Sequence, residues 1–311
     1  MSVLGYLHDA MGLCEQAAEP ASTSVRAIFL NCNSKLTGDE YRNSTIEIFP
    51  QLIETAFKSK NVKVVLAIAE GCTRISLNLD NRTMQGLGGV CTPVFGKITD
   101  CMNFLENPHN KQNLSTNQSG QLILIMQTLA LSLQTLSIIV QYLDSAQSSK
   151  QPISELLNAM WPLLQKVANS PYCRQHDDVL NQLLKVHGRC VNSFGDVIEP
   201  KIGELINVVV QAYEETHHSC CCEFVGIAVE KFSAKGGGVE ESFCQVIERS
   251  EAKRASLVTY VCEATTNPLL IHSCSRASLK IRLASLGAAA VALVREHVGL
   301  LEEGGGGGNR R

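Results

Sequence analysis

The chain has 311 residues, of which 45% are hydrophobic, and a formal net charge of −3. A chain of this length can bury a substantial core. The small acidic excess argues against nucleic-acid binding through a basic surface, so nucleic acid is not expected as a partner. Aromatic residues are only 5% of the chain. Leu, Ile, Val and Ala supply most of the apolar volume, which favours helix-on-helix packing over a β-sandwich.

Apolar residues recur at helical spacing along most of the chain. The first six predicted helices cover about residues 3–18, 21–33, 44–58, 61–79, 83–106 and 120–144. Three more apolar stripes follow, at 153–167, 179–194 and 198–213. The stripe at 179–194 consists of Val179, Leu180, Leu183, Leu184, His187, Cys190, Val191 and Phe194.

The last strong helical pattern lies within Tyr213–Phe232 and is amphipathic. Its apolar stripe consists of Cys220, Cys221, Phe224, Val225, Ala228, Val229 and Phe232, and the charged residues Glu223, Glu230 and Lys231 lie on the opposite side.

The predicted helices come in pairs joined by short polar segments, and no strand pattern is evident. Repeated hairpins of about 40 residues are typical of HEAT-type stacking, in which each pair buries its apolar face against its neighbours. The sequence therefore predicts an all-α fold of the HEAT/ARM type, an α-solenoid. A compact helical bundle is the alternative that the pattern leaves open.

The predicted organisation has three parts. A HEAT-repeat array covers residues 1–248 and is interrupted by a polar, helix-poor loop at about 107–120. A divergent, alanine-rich helical segment covers 249–302. The glycine-rich end, 303–311, is predicted to be disordered.

Thirteen cysteines are present, but their number is odd and no C-x-x-C pair occurs. Most lie on apolar helix faces, where cysteine acts as a small hydrophobic residue. Reduced thiols of a cytosolic or nuclear protein are therefore expected. The first residues lack the basic head and long apolar centre of a signal peptide.

The segment Leu122–Leu143 is long enough to span a bilayer and contains no charged residue. However, Gln127, Gln134 and Gln141 recur every seven residues within it. Amides repeated along one side of a helix suit a packed helix better than lipid contact, so no membrane partner is expected.

No catalytic arrangement is predicted, and the chain is expected not to be an enzyme and to bind no cofactor. The strongest metal candidate combines His217 and His218 with Cys220–Cys222. A structural zinc site needs four convergent ligands, and these cysteines continue the apolar stripe. No metal site is therefore expected.

Several short motifs occur in the order found in one known family. They are Val3-Leu4-Gly5-Tyr6-Leu7, Gly12-Leu13-Cys14-Glu15, Glu70-Gly71, Met160-Trp161-Pro162-Leu163 and the string Tyr213–Gly226. In this order they resemble the transportin-SR family of nuclear import receptors, within the importin-β superfamily. Importin-13-type receptors are similar to the same extent.

The resemblance implies a right-handed superhelix of helical hairpins that binds protein cargo on its concave face. It also implies nucleoporins as partners, and a location in both cytoplasm and nucleus. The matching motifs correspond to a central-to-late part of such receptors, which are about three times as long. The N-terminal region that binds the GTP form of Ran has no counterpart here, so the resemblance leaves Ran binding open.

The helix that aligns with the cargo-binding helix of the SR-protein receptors is Asp178–Phe194. Its candidate cargo-binding residues are Lys185, His187 and Arg189. Phosphorylated cargo is held by a row of paired arginine contacts, and one Arg with one Lys does not reproduce such a row. Two alternatives to a transport receptor stay open: a helical scaffold or adaptor without transport activity, and the truncated product of a receptor gene.

Overall fold

The structure of the chain is a computed structural model. It describes residues 2–107, 119–145 and 150–216, and a further eight residues: 218, 220, 221, 223, 224, 227, 228 and 231. Within these ranges the chain forms helices and turns and no strand, which confirms the predicted all-α class. Most of the predicted loop at 107–120, and all of the predicted segments 249–302 and 303–311, lie outside the described residues.

Eleven α-helices occur in the described part of the chain. They are α1 Ser2–Leu13, α2 Glu15–Asn31, α3 Asn33–Leu36, α4 Arg42–Lys58, α5 Val62–Ser76, α6 Thr83–Glu106, α7 Ser119–Ser145, α8 Lys150–Asn169, α9 Pro171–Arg174, α10 Asp177–Phe194 and α11 Ile202–Thr216.

The first helix boundary was predicted wrongly. The predicted break at residues 19–20 is absent, and the chain instead turns at Cys14, whose backbone is extended, before α2 begins. The buried stripe of α2 starts at Ala18, so the helix must begin before that residue. Pro20 lies inside α2, and its side chain is exposed.

Tertiary contacts divide the chain into two compact units, Met1–Pro200 and Lys201–Arg311. In the first unit the helices form four hairpins in chain order: α1 with α2, α4 with α5, α6 with α7, and α8 with α10. The first helices of successive hairpins contact each other, and so do the second helices. The main contacts of each hairpin are thus with its neighbours in the chain, which confirms the predicted HEAT-type stacking and not the closed bundle.

The second helices α2, α5, α7 and α10 form what we call the second-helix row. Close approach within this row depends on Gly71, because a Cβ atom there would lie 2.8 Å from the ring of the buried Phe29. Phe29 also packs edge-to-face on Phe49 of α4, with ring centroids 5.9 Å apart. The first two hairpins are therefore joined by a dry aromatic contact that needs glycine beside it.

The first helices α1, α4, α6 and α8 are also joined by polar contacts. The Lys97 ammonium of α6 lies 3.2 Å from the Glu54 carboxylate of α4. One hairpin further on, Lys166 of α8 lies 2.9 Å from Glu106 of α6. All four side chains are partly exposed, so these pairs contribute little to stability. Their main effect is on how successive first helices are aligned along their axes.

Helix α7 is long and apolar enough to cross a membrane by length and composition. In the structure it packs between hairpins and contacts α5, α6 and α10. Its buried stripe is that of a core helix and consists of Met126, Leu129, Leu133, Leu136, Ile139, Val140 and Leu143. The packing supports the interpretation of this segment as a core helix.

The described cysteines are free thiols, and seven of the nine are buried. Burial raises the pKa of Cys173 to about 11 and that of Cys91 to about 12. These thiols therefore stay protonated at neutral pH and behave as small apolar side chains, as the sequence predicted. Cys14 and Cys32, at the two ends of α2, are exposed.

The second unit contains α11 and the start of the amphipathic pattern after it. The described residues between 220 and 231 are helical. Cys220, Cys221, Phe224 and Ala228 are buried, which agrees with the predicted stripe. Val225, Val229 and Phe232 lie outside the described residues, and the boundary predicted near residue 248 remains a prediction.

Two helical glycines that have different surroundings test this packing. A Cβ atom at Gly88 of α6 would meet nothing within 4 Å, whereas one at Gly71 would meet the Phe29 ring. We expect Gly88→Ala to stabilise the protein by about 0.5–1 kcal/mol because alanine restricts the unfolded chain. Gly71→Ala should destabilise it by about 1–3 kcal/mol through overpacking. Urea unfolding of both variants measures this, and equal effects would contradict the packing described here.

Candidate functional site

The exposed side of α10 carries two of the three residues predicted to bind cargo. Lys185 and Arg189 are exposed and lie one turn apart on the same side of the helix. Asn192, one further turn along, is also exposed. Asp177 and Asp178 occupy the first turn, where carboxylates complement the helix dipole. The helix ends at Gly195, whose φ of 47° lies in the left-handed region. This side of α10 offers two cations for contact with another molecule.

His187 does not belong to this surface, which corrects its prediction as a cargo-binding residue. Its side chain is fully buried, and its ring lies 6.0 Å from the Trp161 ring of α8. Burial lowers the pKa of His187 from 6.5 to about 3, so the imidazole is neutral at physiological pH. His187 and Trp161 are core residues between the two helices of the fourth hairpin.

A polar cluster on the second-helix row was not predicted. Arg26 of α2 donates through Nε to Glu70 Oε2 of α5 at 2.8 Å, and through Nη2 to Oε1 at 2.9 Å. Arg74, one turn after Glu70, has its Nε 3.5 Å from the same Oε1. The Arg74 guanidinium also lies 4.7 Å from the ring centre of Tyr142 in α7. The cluster thus joins three consecutive hairpins.

The electrostatics of this cluster favour an ionised Glu70. Burial alone would raise the Glu70 pKa, but hydrogen bonds from Arg26 and Tyr142 and the charges of Arg26 and Arg74 outweigh it, so the pKa is lowered. The pKa of Arg26 is raised, chiefly by its hydrogen bond to Glu70. Burial, together with the bond to Glu70, raises the pKa of Tyr142. At neutral pH the cluster contains two cations, one anion and one neutral phenol.

The sequence offered only a weak signal for this cluster. Glu70 and Arg74 have the i, i+4 spacing of a helical ion pair. Arg26, however, is 44 residues away from Glu70 along the chain. Their meeting follows from the register of one hairpin on the next, which apolar periodicity alone does not specify.

The metal candidate is only partly visible, because His217 and Cys222 lie outside the described residues. The His218 Nδ1 atom lies 2.9 Å from the Cys220 sulfur, a hydrogen-bond contact that needs no metal. No group of three or more potential ligands occurs within the described part of the chain.

The stacked hairpins and the exposed polar surface define a helical-repeat protein. Residues 151–253, about a third of the chain, match the family described as the Transportin-3/Importin-13 fourth TPR domain. Over these residues the predicted resemblance to receptors of the transportin-SR and importin-13 type is confirmed. The match includes Trp161, Lys185, His187 and Arg189, whereas the Arg26 cluster lies outside it. A search of curated proteins gave no match.

The polar cluster leads to a prediction about stability. Glu70→Gln removes the anion that holds Arg26 and Arg74, and we expect a loss of about 1–2 kcal/mol at neutral pH in urea unfolding. Glu19→Gln is the matched control, because it breaks the exposed Glu19–Lys63 contact between the same two helices and should cost less than about 0.5 kcal/mol. Because the Glu70 pKa is lowered from 4.5, its stabilisation is present above pH 4.5 and is lost as the pH falls below it. Equal losses in the two variants would contradict this account.

The buried His187 predicts a second pH dependence. Its folded pKa is about 3 against an ordinary 6.5, so only the unfolded state takes up a proton between these values. Stability is therefore full above pH 6.5 and falls as the pH drops, by up to about 2 kcal/mol near pH 5. His187→Phe should remove this loss between about pH 7 and about pH 5 in urea unfolding. A wild-type-like pH slope in His187→Phe would contradict the prediction.

Proposed function

We propose that this chain is a protein-binding helical array that takes part in nucleocytoplasmic protein transport. The observation that carries the proposal is the family match over residues 151–253, since that family is named for two transport receptors. The stacking of hairpins in the first unit supports it, because such arrays present long surfaces to other polypeptides. The proposed action is recognition without covalent chemistry, by a protein that works in both cytoplasm and nucleus.

The proposed cargo contacts are Lys185 and Arg189, which are exposed on α10 within the matched segment. His187 is left out because it is buried. Two cations one turn apart can hold acidic groups of a protein, but a single arginine fork is a poor match for a densely phosphorylated segment. Protein cargo is the proposed partner, and nucleoporins and the GTP form of Ran are the further partners that transport would require.

A helical scaffold or adaptor without transport activity is the second candidate. The observation that favours it is the extent of the family match, which leaves about two thirds of the chain unmatched. A scaffold would use the same array of hairpins to hold partners but would not respond to a nucleotide-dependent regulator. The two candidates therefore differ in how binding depends on Ran.

Affinity capture from cell extract tests this difference. The full chain is immobilised, and bound proteins are eluted with Ran loaded with GTP and, in parallel, with Ran loaded with GDP. We expect the GTP form to release defined proteins that the GDP form leaves bound. The double variant Lys185→Gln, Arg189→Gln should recover less of these proteins, whereas Lys58→Gln, an exposed cation on α4, should recover them unchanged. Identical elution by both forms of Ran would contradict transport and favour the scaffold.

A further inference from the structure

We infer that Arg26 and Arg74 form a binding site for a carboxylate of an acidic segment in a protein partner. The inference rests on the proposed protein-binding function and adds to it the chemical class of one partner group. It concerns α2, α5 and α7, which lie outside the segment that matches the receptor family. It therefore depends on the geometry of this chain alone.

The two arginines present their guanidinium groups above a carboxylate that is largely covered. The side chains of Arg26 and Arg74 are 40% and 44% exposed, whereas that of Glu70 is 15% exposed. Glu70 thus lies beneath the two cations and orients them. Because Glu70 holds them from below, a ligand that approaches from solvent meets the guanidinium groups first.

Each guanidinium keeps donors that Glu70 does not use. Arg26 gives Glu70 one N–H from Nε and one from Nη2, and a guanidinium carries five. The contact from Arg74 to Glu70 is longer, at 3.5 Å, and the Tyr142 ring supports the face of that guanidinium. Both guanidinium groups are therefore held in place and still have N–H groups for an acceptor in a partner.

The charge of the cluster selects the class of anion. Arg26 and Arg74 contribute two positive charges, and Glu70 contributes one negative charge. Tyr142 stays neutral at physiological pH because burial and Glu70 raise its pKa. One excess positive charge matches a single carboxylate, whereas a phosphate dianion would bring a second negative charge close to Glu70. The cluster is thus suited to an aspartate or glutamate of the partner.

The ligand has to be a segment and not an isolated residue. One ion pair at a solvent-exposed site is weak, because water and salt screen it. Several acidic residues in succession raise the chance that one of them is held at Arg26 and Arg74. A flexible acidic stretch of a protein has the required chemistry.

Fluorescence anisotropy of a labelled eight-residue glutamate peptide with the full chain tests the site at low salt. We expect Arg74→Gln and Arg26→Gln each to weaken binding by about five- to tenfold. Lys58→Gln makes the same charge change at an exposed position of α4 and should change the affinity less than about twofold. Arg74→Lys keeps the charge but not the planar guanidinium with its paired N–H donors, and should give an intermediate loss of affinity. Circular dichroism establishes whether each variant is folded. If Arg74→Gln does not fold, Arg74→Lys still tests the site.

Two outcomes would overturn the inference: wild-type affinity in Arg74→Gln, and equal losses in Arg74→Gln and Lys58→Gln. The same measurement with an eight-residue phosphoserine peptide, and competition with inorganic phosphate, separate the two anions. Tighter, Arg74-dependent binding of the phosphopeptide would overturn the assignment to carboxylate. The measurement involves neither Ran nor cell extract, so its failure leaves the transport proposal standing. Failure of the capture experiment likewise leaves the peptide result intact.

Discussion

Contact between successive hairpins is the constraint on which the rest of this structure depends. A single pair of helices cannot cover its own apolar faces, so each pair is stable only when it is stacked on the next. Phe29 and Gly71 show how close this contact is, since a single added carbon at position 71 would lie 2.8 Å from the aromatic ring. The same contact fixes the register of the second-helix row. Every surface feature that combines residues of two hairpins therefore depends on this apolar packing.

The polar cluster is the clearest consequence of that register. Arg26 and Glu70 can form a two-bond contact only if α2 and α5 are aligned to within a fraction of a helical turn. The cluster in turn adds a directional constraint that apolar packing lacks, because hydrogen bonds weaken steeply when their geometry is disturbed. Tyr142 extends this constraint to the third hairpin. The packing positions the charges, and the charges limit how far neighbouring hairpins can slide.

Helical periodicity predicted most of the fold but not its polar contacts. The stripe from Val179 to Phe194 is the buried face of α10, and that stripe already contained His187. Periodicity alone thus predicted a buried histidine, and its assignment to cargo binding came from alignment with a family helix. The break at Cys14 was missed because a single residue separates α1 from α2. Arg26 and Glu70 meet only through the register between hairpins, which no local pattern encodes.

The two cationic regions of this chain rest on different arguments. Lys185 and Arg189 lie in the segment related to transport receptors, so their proposed role in binding rests on family and exposure together. Arg26 and Arg74 lie outside that segment, and their proposed role rests on geometry, exposure and charge alone. Lysine and arginine on one helix can move independently, whereas the two arginines are held by a shared carboxylate. Arg26 and Arg74 therefore lose less conformational freedom when they bind a ligand, which makes their cluster the more selective of the two regions for a planar anion.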